Sequence, residues 1–209
     1  GHDCLGAAAD QPHFINAVDG GNDLLGQFCL TRSGGDVRGS FGGGSLYVLD
    51  PLTRAVWIFE SDNQELTFST RPRFFFANQV PDLINAIDLA IYRDDLYILH
   101  ADGGMTTCTY SLNEFSPTRC EDPAVYLDYR QGRQSGETIA DTTFRQVLYA
   151  PPPDPSIYLL DAPNRAIYHF SLRLALQRQY QPLNRLPEGD ATAFSILQNR
   201  VAFLALGNR

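Results

Sequence analysis

The sequence predicts an all-β domain made of four tandem repeats of about 50 residues. Three observations predict this class: short apolar strand patterns recur along the chain, an aspartate opens one strand of every repeat, and helical periodicity is scarce. Phe, Tyr and Gly occur 13, 10 and 17 times, a composition that favours strands joined by tight turns. With 209 residues, the chain is long enough for a single domain with a sizeable core.

The clearest repeat is a β-hairpin pattern that occurs three times. Its first strand is apolar and ends in Asp or His, with the sequences LYVLD at 46–50, LYILH at 96–100 and IYLLD at 157–161. A short polar turn then leads into a second apolar strand at 56–59, 107–110 and 167–170. Loops of four or five residues between such strands predict antiparallel hairpins. A weaker fourth copy of the first strand lies at 201–205.

An aspartate opens the strand before each hairpin and before the fourth copy. These aspartates are Asp36, Asp88, Asp141 and Asp190, which are 49 to 53 residues apart. Such constant spacing predicts four copies of one structural unit. A further, outer strand is expected in each of the first three units, with candidates at 66–68, 125–127 and 179–180. The stretch 172–181 is interpreted as part of an outer strand rather than a short helix, because its surroundings have the strand pattern.

Four units of an Asp-led strand followed by a hairpin resemble the blades of a β-propeller. The pattern is similar to NHL-type and YWTD-type propellers, and its Asp-led strands are similar to the four-bladed hemopexin-like repeats. The resemblance covers about residues 35–205. It implies a fold and not a ligand, because the YWTD tetrapeptide and the Tyr-Trp ending of hemopexin repeats are absent. Residues 35–209 are therefore expected to form four propeller blades.

The fourth repeat stops shortly after its hairpin strand, so its remaining strands must come from elsewhere. Residues 1–34 contain two strand patterns, at 14–18 and 25–30. We expect this N-terminal segment to complete the last blade, since ring closure removes an exposed sheet edge and leaves a single domain. The alternative is an arc of a larger ring. Gly1 and His2 are typical of a cleaved tag, which suggests a longer natural protein.

The charge of the chain disfavours two classes of partner. The net charge is −8, and no basic stripe of the kind that binds nucleic acid is present. Docking on anionic membranes is disfavoured for the same reason. No run of 18 apolar residues occurs, so direct membrane insertion is not expected. All 16 basic residues are Arg, which excludes mechanisms that need a lysine.

The four cysteines suggest an oxidising compartment. Cys108 and Cys120 are expected to pair across a hairpin, and Cys4 with Cys29 would then close the N-terminal segment. This predicts an extracytoplasmic protein, either secreted, periplasmic or on the outer face of a membrane-anchored parent. Four free thiols in a cytosolic protein are the alternative.

Two sets of residues are candidates for binding. The first is the set of Asp36, Asp88, Asp141 and Asp190, which would converge at one mouth of a propeller channel and could hold a hard cation such as Ca²⁺. Their structural interpretation is that each carboxylate caps a turn. The second set is formed by the hairpin positions Asp50, His100 and Asp161. Turn capping explains the two aspartates, whereas His100 is the odd member.

The sequence leaves two functions as candidates. The first is a non-catalytic binding or scaffold domain with a protein or a small molecule as ligand, and a variant of it is the sensor portion of a larger protein. No nucleophile motif, zinc motif or phosphate loop is present, which favours it. The second is a Ca²⁺-dependent propeller hydrolase or lactonase that uses channel-mouth carboxylates. Only the four aspartates support it.

Overall fold

A computed structural model describes most of the chain between residues 44 and 197. Backbone and side chains are described for 44–50, 53–60, 71–76, 80–111, 118–129, 139, 142–183 and 191–196. The backbone alone is described for 13–17, 26–30, 38–42, 61–62, 67–68, 197 and 201–206. All regular secondary structure in these residues is β-strand, so the predicted all-β class is confirmed for them. Within the same residues, no helix is long and apolar enough to cross a membrane.

The strands are short and follow one another closely, as expected for all-β folds with tight turns. In chain order they are β1 (His13–Ala17), β2 (Gly26–Leu30), β3 (Arg38–Gly42), β4 (Ser45–Asp50), β5 (Ala55–Asp62), β6 (Thr67–Phe68), β7 (Arg73–Phe74), β8 (Ala86–Tyr92), β9 (Asp95–His100), β10 (Met105–Thr109), β11 (Arg119–Ala124), β12 (Leu127–Asp128), β13 (Phe144–Ala150), β14 (Ser156–Asp161), β15 (Ala166–Ser171), β16 (Ala175–Tyr180), β17 (Ala191–Leu197) and β18 (Val201–Leu206).

The strands that the structure describes form three larger sheets and two separate hairpins. Sheet 1 has the order β3-β4-β5-β6, with β7 also paired to β5; sheet 2 has the order β8-β9-β10-β11; sheet 3 has the order β13-β14-β15-β16, with β12 added outside β16. Neighbouring strands are antiparallel except β12 and β16, which are parallel. The three hairpins predicted from the sequence, β4–β5, β9–β10 and β14–β15, are confirmed.

The three sheets pack against one another through alternate side chains of their strands. Successive side chains of a strand point to opposite faces, so one sheet can contribute to two cores. Leu96 and Ile98 of β9 lie in the core shared with sheet 1, whereas Tyr97 and Leu99 lie in the core shared with sheet 3. On its far face, sheet 3 buries Leu160 against Phe194 of β17. The first strands β3, β8 and β13 lie side by side.

Equivalent hydrogen bonds from a backbone N–H to a side chain join β8 to β13 and β13 to β17. The Asp88 carboxylate in β8 accepts a hydrogen bond of 2.9 Å from the backbone N–H of Val147 in β13. The Gln146 side-chain oxygen in β13 accepts one of 3.3 Å from the backbone N–H of Phe194 in β17. Asp88 and Gln146 occupy equivalent positions, opposite Leu99 and Leu160, so sheets 2 and 3 each use the same position to contact the strand that follows.

The pairing register of the strands shows that aligning the repeats by their aspartates was wrong. The positions equivalent to Asp88 are held by Arg38, Gln146 and Ala193. β13 begins only at Phe144, whereas Asp88 lies inside β8. The four aspartates therefore do not share one place in their strands. A register irregularity near the beginning of β8, β13 and β17 adds a residue there, which sequence spacing does not reveal.

The outer strands agree with the sequence in two sheets and differ in the third. β6 and β16 occupy the expected stretches. In sheet 2 the outer strand is β11, and not 125–127 as predicted, because the disulfide between Cys108 and Cys120 places β11 beside β10. Leu127 instead donates its backbone N–H to the carbonyl of Leu174 at 2.9 Å, so β12 joins sheet 3.

No closed ring of four sheets is found among the strands that the structure describes. Within that part of the chain, β1 pairs with β2 and β17 pairs with β18, and the two hairpins remain separate sheets. The predicted completion of a fourth blade by residues 1–34 is therefore a proposal rather than an observation.

Candidate functional site

The turns after β4, β9 and β14 lie at the same end of their sheets and occupy equivalent positions. Each turn follows the last residue of its strand, which is Asp50, His100 or Asp161. The Asp50 carboxylate accepts hydrogen bonds from the backbone N–H of Thr53, at 3.2 Å, and from its hydroxyl. Arg54 then adopts a positive φ of 51°, which closes the turn. Asp50 thus caps its turn, as the sequence predicts.

The turn of sheet 3 is capped in the same way. Asp161 is fully buried, and its carboxylate accepts hydrogen bonds from the backbone N–H groups of Asn164 and Thr143, both at 3.4 Å. It also accepts one of 2.9 Å from the Asn164 side-chain amide. Arg165 has a positive φ of 52°, close to that of its equivalent in sheet 1. Turn capping is therefore the role of Asp161 too.

His100 does not cap its turn. Its Nε2 lies 2.8 Å from the hydroxyl oxygen of Thr106, and that hydroxyl donates a hydrogen bond of 2.9 Å to Asp122. The capping role passes to Asp102, whose carboxylate accepts the backbone N–H of Gly104 at 2.8 Å. The turn is closed by Gly103 at a φ of 86°. A change of capping residue thus frees His100 for another role.

The hydrogen bonds that join His100, Thr106 and Asp122 determine which ring nitrogen of His100 carries the proton. A carboxylate accepts only, so the Thr106 hydroxyl gives its hydrogen to Asp122. The Thr106 oxygen must then accept from His100, and Nε2 is the protonated nitrogen. In the neutral ring, Nδ1 keeps its lone pair, and no residue that the structure describes is bonded to it. Because Thr106 is fully buried, water does not compete for its hydrogen bonds with His100 and Asp122.

A small cavity of about 180 Å³ lies beside His100 at this end of sheet 2. Its lining is formed by Asp82, Asn85, His100, Asp102, Gly104, Met105, Asp122 and Pro123. Three lining residues are carboxylates, and none is Arg. The cavity is therefore strongly acidic.

Each of the three carboxylates is oriented through one oxygen atom. Oδ1 of Asp82 accepts the backbone N–H of Ile84 at 3.0 Å, and Oδ1 of Asp102 and Asp122 accepts from Gly104 and Thr106. No residue in the described part of the chain is bonded to the three Oδ2 atoms. The lining thus offers acceptors that are held in place and still have capacity.

A larger cleft of about 440 Å³ lies between the outer strands of sheets 2 and 3, and three of its polar side chains are bonded within the protein. The Tyr97 hydroxyl donates to the carbonyl of Leu172 at 3.0 Å, and the Thr109 hydroxyl donates to Asp95 at 2.7 Å. A binding site needs polar groups that are free to orient a ligand. The smaller cavity is distinguished from this cleft by His100, the position at which sheet 2 departs from sheets 1 and 3.

The predicted set of metal-binding aspartates is not brought together in the described residues. Asp88 is buried and bonded to the backbone of the next sheet, while Asp36, Asp141 and Asp190 lie outside the described residues. No group of three His, Cys, Asp or Glu side chains in the described ranges is arranged to hold a metal ion. The Ca²⁺ expectation stays a prediction. The Cys108–Cys120 pair is confirmed, and Cys4 lies outside the described residues, so its pairing with Cys29 stays a prediction.

A second buried histidine, in sheet 3, has no hydrogen-bond partner. His169 stacks in parallel on Tyr158, with ring centroids 4.4 Å apart, and neither its ring nitrogens nor the Tyr158 hydroxyl are bonded. Burial lowers the pKa of His169, an effect that the nearby Arg178 reinforces and Asp154 opposes. Burial likewise raises the pKa of Tyr158 to about 12. This pair is a place where stability depends on pH.

The sequence identified only one residue of the cavity. His100 attracted attention as the odd member of its set, but Asp82 and Asp122 gave no signal of their own. Asp122 lies in a strand whose sequence, RCEDPA, has no apolar alternation. Asp102 was interpreted as an ordinary turn residue, which it also is.

Comparison with models of protein families gave no match, and comparison with curated proteins gave none either.

Proposed function

We propose that this chain is a non-catalytic, extracytoplasmic binding domain of the β-propeller type, and that its ligand contacts the acidic cavity beside His100. One observation carries the proposal. Where sheets 1 and 3 use an aspartate to cap the turn, sheet 2 uses a neighbouring residue for that task and turns His100 toward Thr106 and Asp122. A position released from the repeated architecture is where a binding role can reside.

The propeller arrangement is supported by the way sheet 1 is buried. Leu49 and Ile58 pack against sheet 2, while Leu46 and Val48, on the opposite face, are only 3% and 5% exposed. A sheet with two covered faces is expected inside a ring of face-to-face sheets. We propose that the β1–β2 and β17–β18 hairpins together form the fourth blade and cover this face.

Hydrogen–deuterium exchange of the intact chain tests this arrangement. If the fourth blade closes the ring, amides of 13–17 and 26–30 are protected. Val48→Asp then removes that protection while leaving sheet 3 protected. Unprotected amides at 13–30 in the wild type would contradict closure by the N-terminal segment.

The extracytoplasmic location is supported by the disulfide between Cys108 and Cys120, since such bonds persist in oxidising compartments. Thiol labelling of the protein recovered from its natural compartment tests it. Full protection of both cysteines until reductant is added is expected, and labelling of the native protein would contradict the location.

A ligand panel followed by ¹H–¹⁵N correlation spectra tests the binding site. The panel contains acetyl-arginine amide, butylammonium, sulfate, glucose and Ca²⁺. We expect at least one class to shift the amides of Asn85, Gly104 and Thr106 in a saturable way. If no compound does so, the cavity is not a site for these ligand classes and the proposed function fails.

A further inference from the structure

We infer that the disulfide between Cys108 and Cys120 is a redox-sensitive clamp, a covalent link whose reduction releases β11 from sheet 2 while the cores between the sheets remain folded. The release separates Asp122 from Thr106 and removes the hydrogen bonds that orient His100. The consequence for ligand binding rests on the proposed function of the cavity beside His100. The release of β11 itself does not depend on that function.

The strand β11 has almost no buried side chain to hold it on sheet 2. The five consecutive side chains of 119–123 are all exposed, and only Ala124 is buried. A strand that packs one face on a core normally alternates between buried and exposed residues. Charged residues and proline are also unfavourable in strands, and Pro123 has no N–H to give to the pairing with β10. Burial of side chains therefore contributes little to the attachment of 119–123.

The disulfide lies at the centre of this weakly attached segment. Cys108 of β10 and Cys120 of β11 are directly opposite each other in the pairing register. The Thr106 hydroxyl adds a hydrogen bond of 2.9 Å to Asp122. A covalent cross-link restricts the released state and can stabilise the attached one by more than a single hydrogen bond does. We therefore expect the disulfide to decide whether 119–123 stays on β10.

The two cysteines differ in burial, which explains why reduction should spare the core. Cys108 is 2% exposed and lies with Ile58 and Leu96 in the core between sheets 1 and 2. Cys120 is exposed, so a reductant in solution can reach it. A buried free cysteine behaves as a small apolar residue, and Cys108 can keep its place after the bond is broken. Reduction thus frees the outer strand and leaves the inner one packed.

The segment 119–123 is anchored on both sides by contacts that do not involve the disulfide. Before it, the buried Thr118 accepts a hydrogen bond of 3.2 Å from the backbone N–H of Ser111. After it, the Tyr126 hydroxyl donates one of 3.0 Å to the carbonyl of Gly103. Opening between two anchored ends is a local event and requires no global unfolding. The released segment should therefore leave β10 as a loop.

The reaction is a thiol–disulfide exchange with a dithiol as the reductant. A thiolate of the dithiol attacks Sγ of Cys120, the Sγ–Sγ bond breaks, and Cys108 leaves as a thiolate that takes up a proton. The second thiol of the reductant then attacks the reductant sulfur of the mixed disulfide, which releases Cys120 and converts the dithiol into a disulfide. Two electrons and two protons pass from the dithiol to the two cysteines.

The release of β11 changes the surroundings of His100. Without Asp122, the Thr106 hydroxyl is no longer obliged to accept from His100, and the proton is no longer fixed on Nε2. Asp122 and Pro123 also line the cavity, so one of its walls is lost. We expect the cavity to be complete only in the oxidised protein. That dependence suits a domain that acquires its disulfide in an oxidising compartment.

Hydrogen–deuterium exchange of the intact chain, with and without dithiothreitol, tests the clamp. Amides of 119–122 that are protected in the oxidised protein should exchange about a hundredfold faster after reduction. Amides of β9 and β14 should stay within about twofold of their oxidised rates. The double variant Cys108→Ala/Cys120→Ser should behave like the reduced protein without any reductant. The matched control Cys4→Ser/Cys29→Ser should still require dithiothreitol.

Two exchange results would overturn the inference. Continued protection of 119–122 in the reduced protein would show that backbone pairing alone holds β11. Loss of protection in β9 and β14 together with β11 would show that the disulfide supports the whole fold and is not a local clamp.

Two-bond ¹H–¹⁵N spectra of the His100 ring test the link to the site. We expect one tautomer, protonated at Nε2, in the oxidised protein and a mixture after reduction. Release of β11 with an unchanged tautomer would overturn the link. A disulfide that only stabilises the fold would not alter the tautomer.

The ligand panel separates regulation from the binding function itself. A ligand that binds the oxidised protein should bind at least about tenfold more weakly after reduction. Equal affinity in both states would overturn redox control of the cavity. If no ligand binds either state, the proposed function fails, and the exchange rates and the His100 spectra still decide on the clamp.

Discussion

Sheets 2 and 3 have the same order of four strands, yet they use equivalent polar positions differently. In sheet 3, Asp161 is the last residue of the second strand, and its carboxylate caps the turn. In sheet 2 the equivalent His100 turns to Thr106, and Asp102 holds the turn instead. The comparison teaches that a repeated fold releases a position for another task when a neighbour assumes its structural role.

The two histidines that are buried in the described part of the chain make a second contrast between the same sheets. His100 is joined through Thr106 to a carboxylate, whereas neither ring nitrogen of His169 has a hydrogen-bond partner. The first is polarised and faces a cavity, and the second is stacked on an aromatic ring. The proposed binding role thus concerns the histidine of sheet 2, whereas the histidine of sheet 3 packs against an aromatic ring.

The largest expected effect comes from removing the cap of sheet 3. Asp161→Ala leaves three donors of Thr143 and Asn164 without their acceptor in a buried turn. We expect the free energy of unfolding to fall by about 3 kcal/mol, measured by urea denaturation. The matched change His100→Gln keeps a donor for Thr106 and should cost about 1 kcal/mol. A greater loss of unfolding free energy in His100→Gln than in Asp161→Ala would contradict the proposed difference between the two turns.

The links between first strands should differ in strength. Asp88→Ala removes a charged, buried acceptor from the Val147 N–H and should lower the free energy of unfolding by about 2 kcal/mol. Gln146→Ala removes a neutral and longer bond to Phe194 and should cost about 1 kcal/mol. Both values come from equilibrium unfolding. Equal costs would show that the charge of Asp88 adds nothing to its link.

The pH dependence of stability should come in part from His169. Burial lowers its pKa in the folded state, so at pH values below about 6.5 the unfolded chain binds the extra proton and is favoured. This stability is present above that pH and is lost as the pH falls. Between pH 7.5 and 5.5 we expect the melting temperature to fall by roughly 3 °C more in the wild type than in His169→Phe. Parallel curves for the two proteins would contradict this.

The smallest effect is expected at the exposed cap of sheet 2. Asp102→Ala removes the acceptor of the Gly104 N–H and should cost about 0.5–1 kcal/mol. Asp102→Asn keeps an acceptor and should cost less. If Asp102→Ala proved as harmful as Asp161→Ala, the turn of sheet 2 would depend on its cap as much as that of sheet 3.

The hairpins of this fold were predictable because their information is local. The strand at 96–100 alternates between two cores, and its apolar residues need only a nearby partner strand. The pairing of Cys108 with Cys120 followed from the same local logic. The first-strand register was not predictable, since a bulge shifts Asp88 relative to the strand ends and no sequence signal marks it.

The candidate site was predictable only in part. His100 could be singled out because it replaces an aspartate in a repeated pattern. Its network could not, because Asp122 belongs to a strand without strand-like composition that a disulfide places beside β10. The contact between Thr106 and Asp122 depends on that placement, and so do the acidity and the size of the cavity.

The parallel pairing of β12 with β16 has a consequence for the order in which this chain assembles. Leu127 and Asp128 of β12 are synthesised before the other four strands of sheet 3, yet they complete its outer edge beside Ala175 and Leu176. Sheets 2 and 3 therefore cannot form independently of each other during synthesis. The strand β12, which follows sheet 2, can pair only after β16 has been synthesised. Pairing between segments distant in sequence slows folding in general, and we expect sheets 2 and 3 to unfold as one cooperative unit.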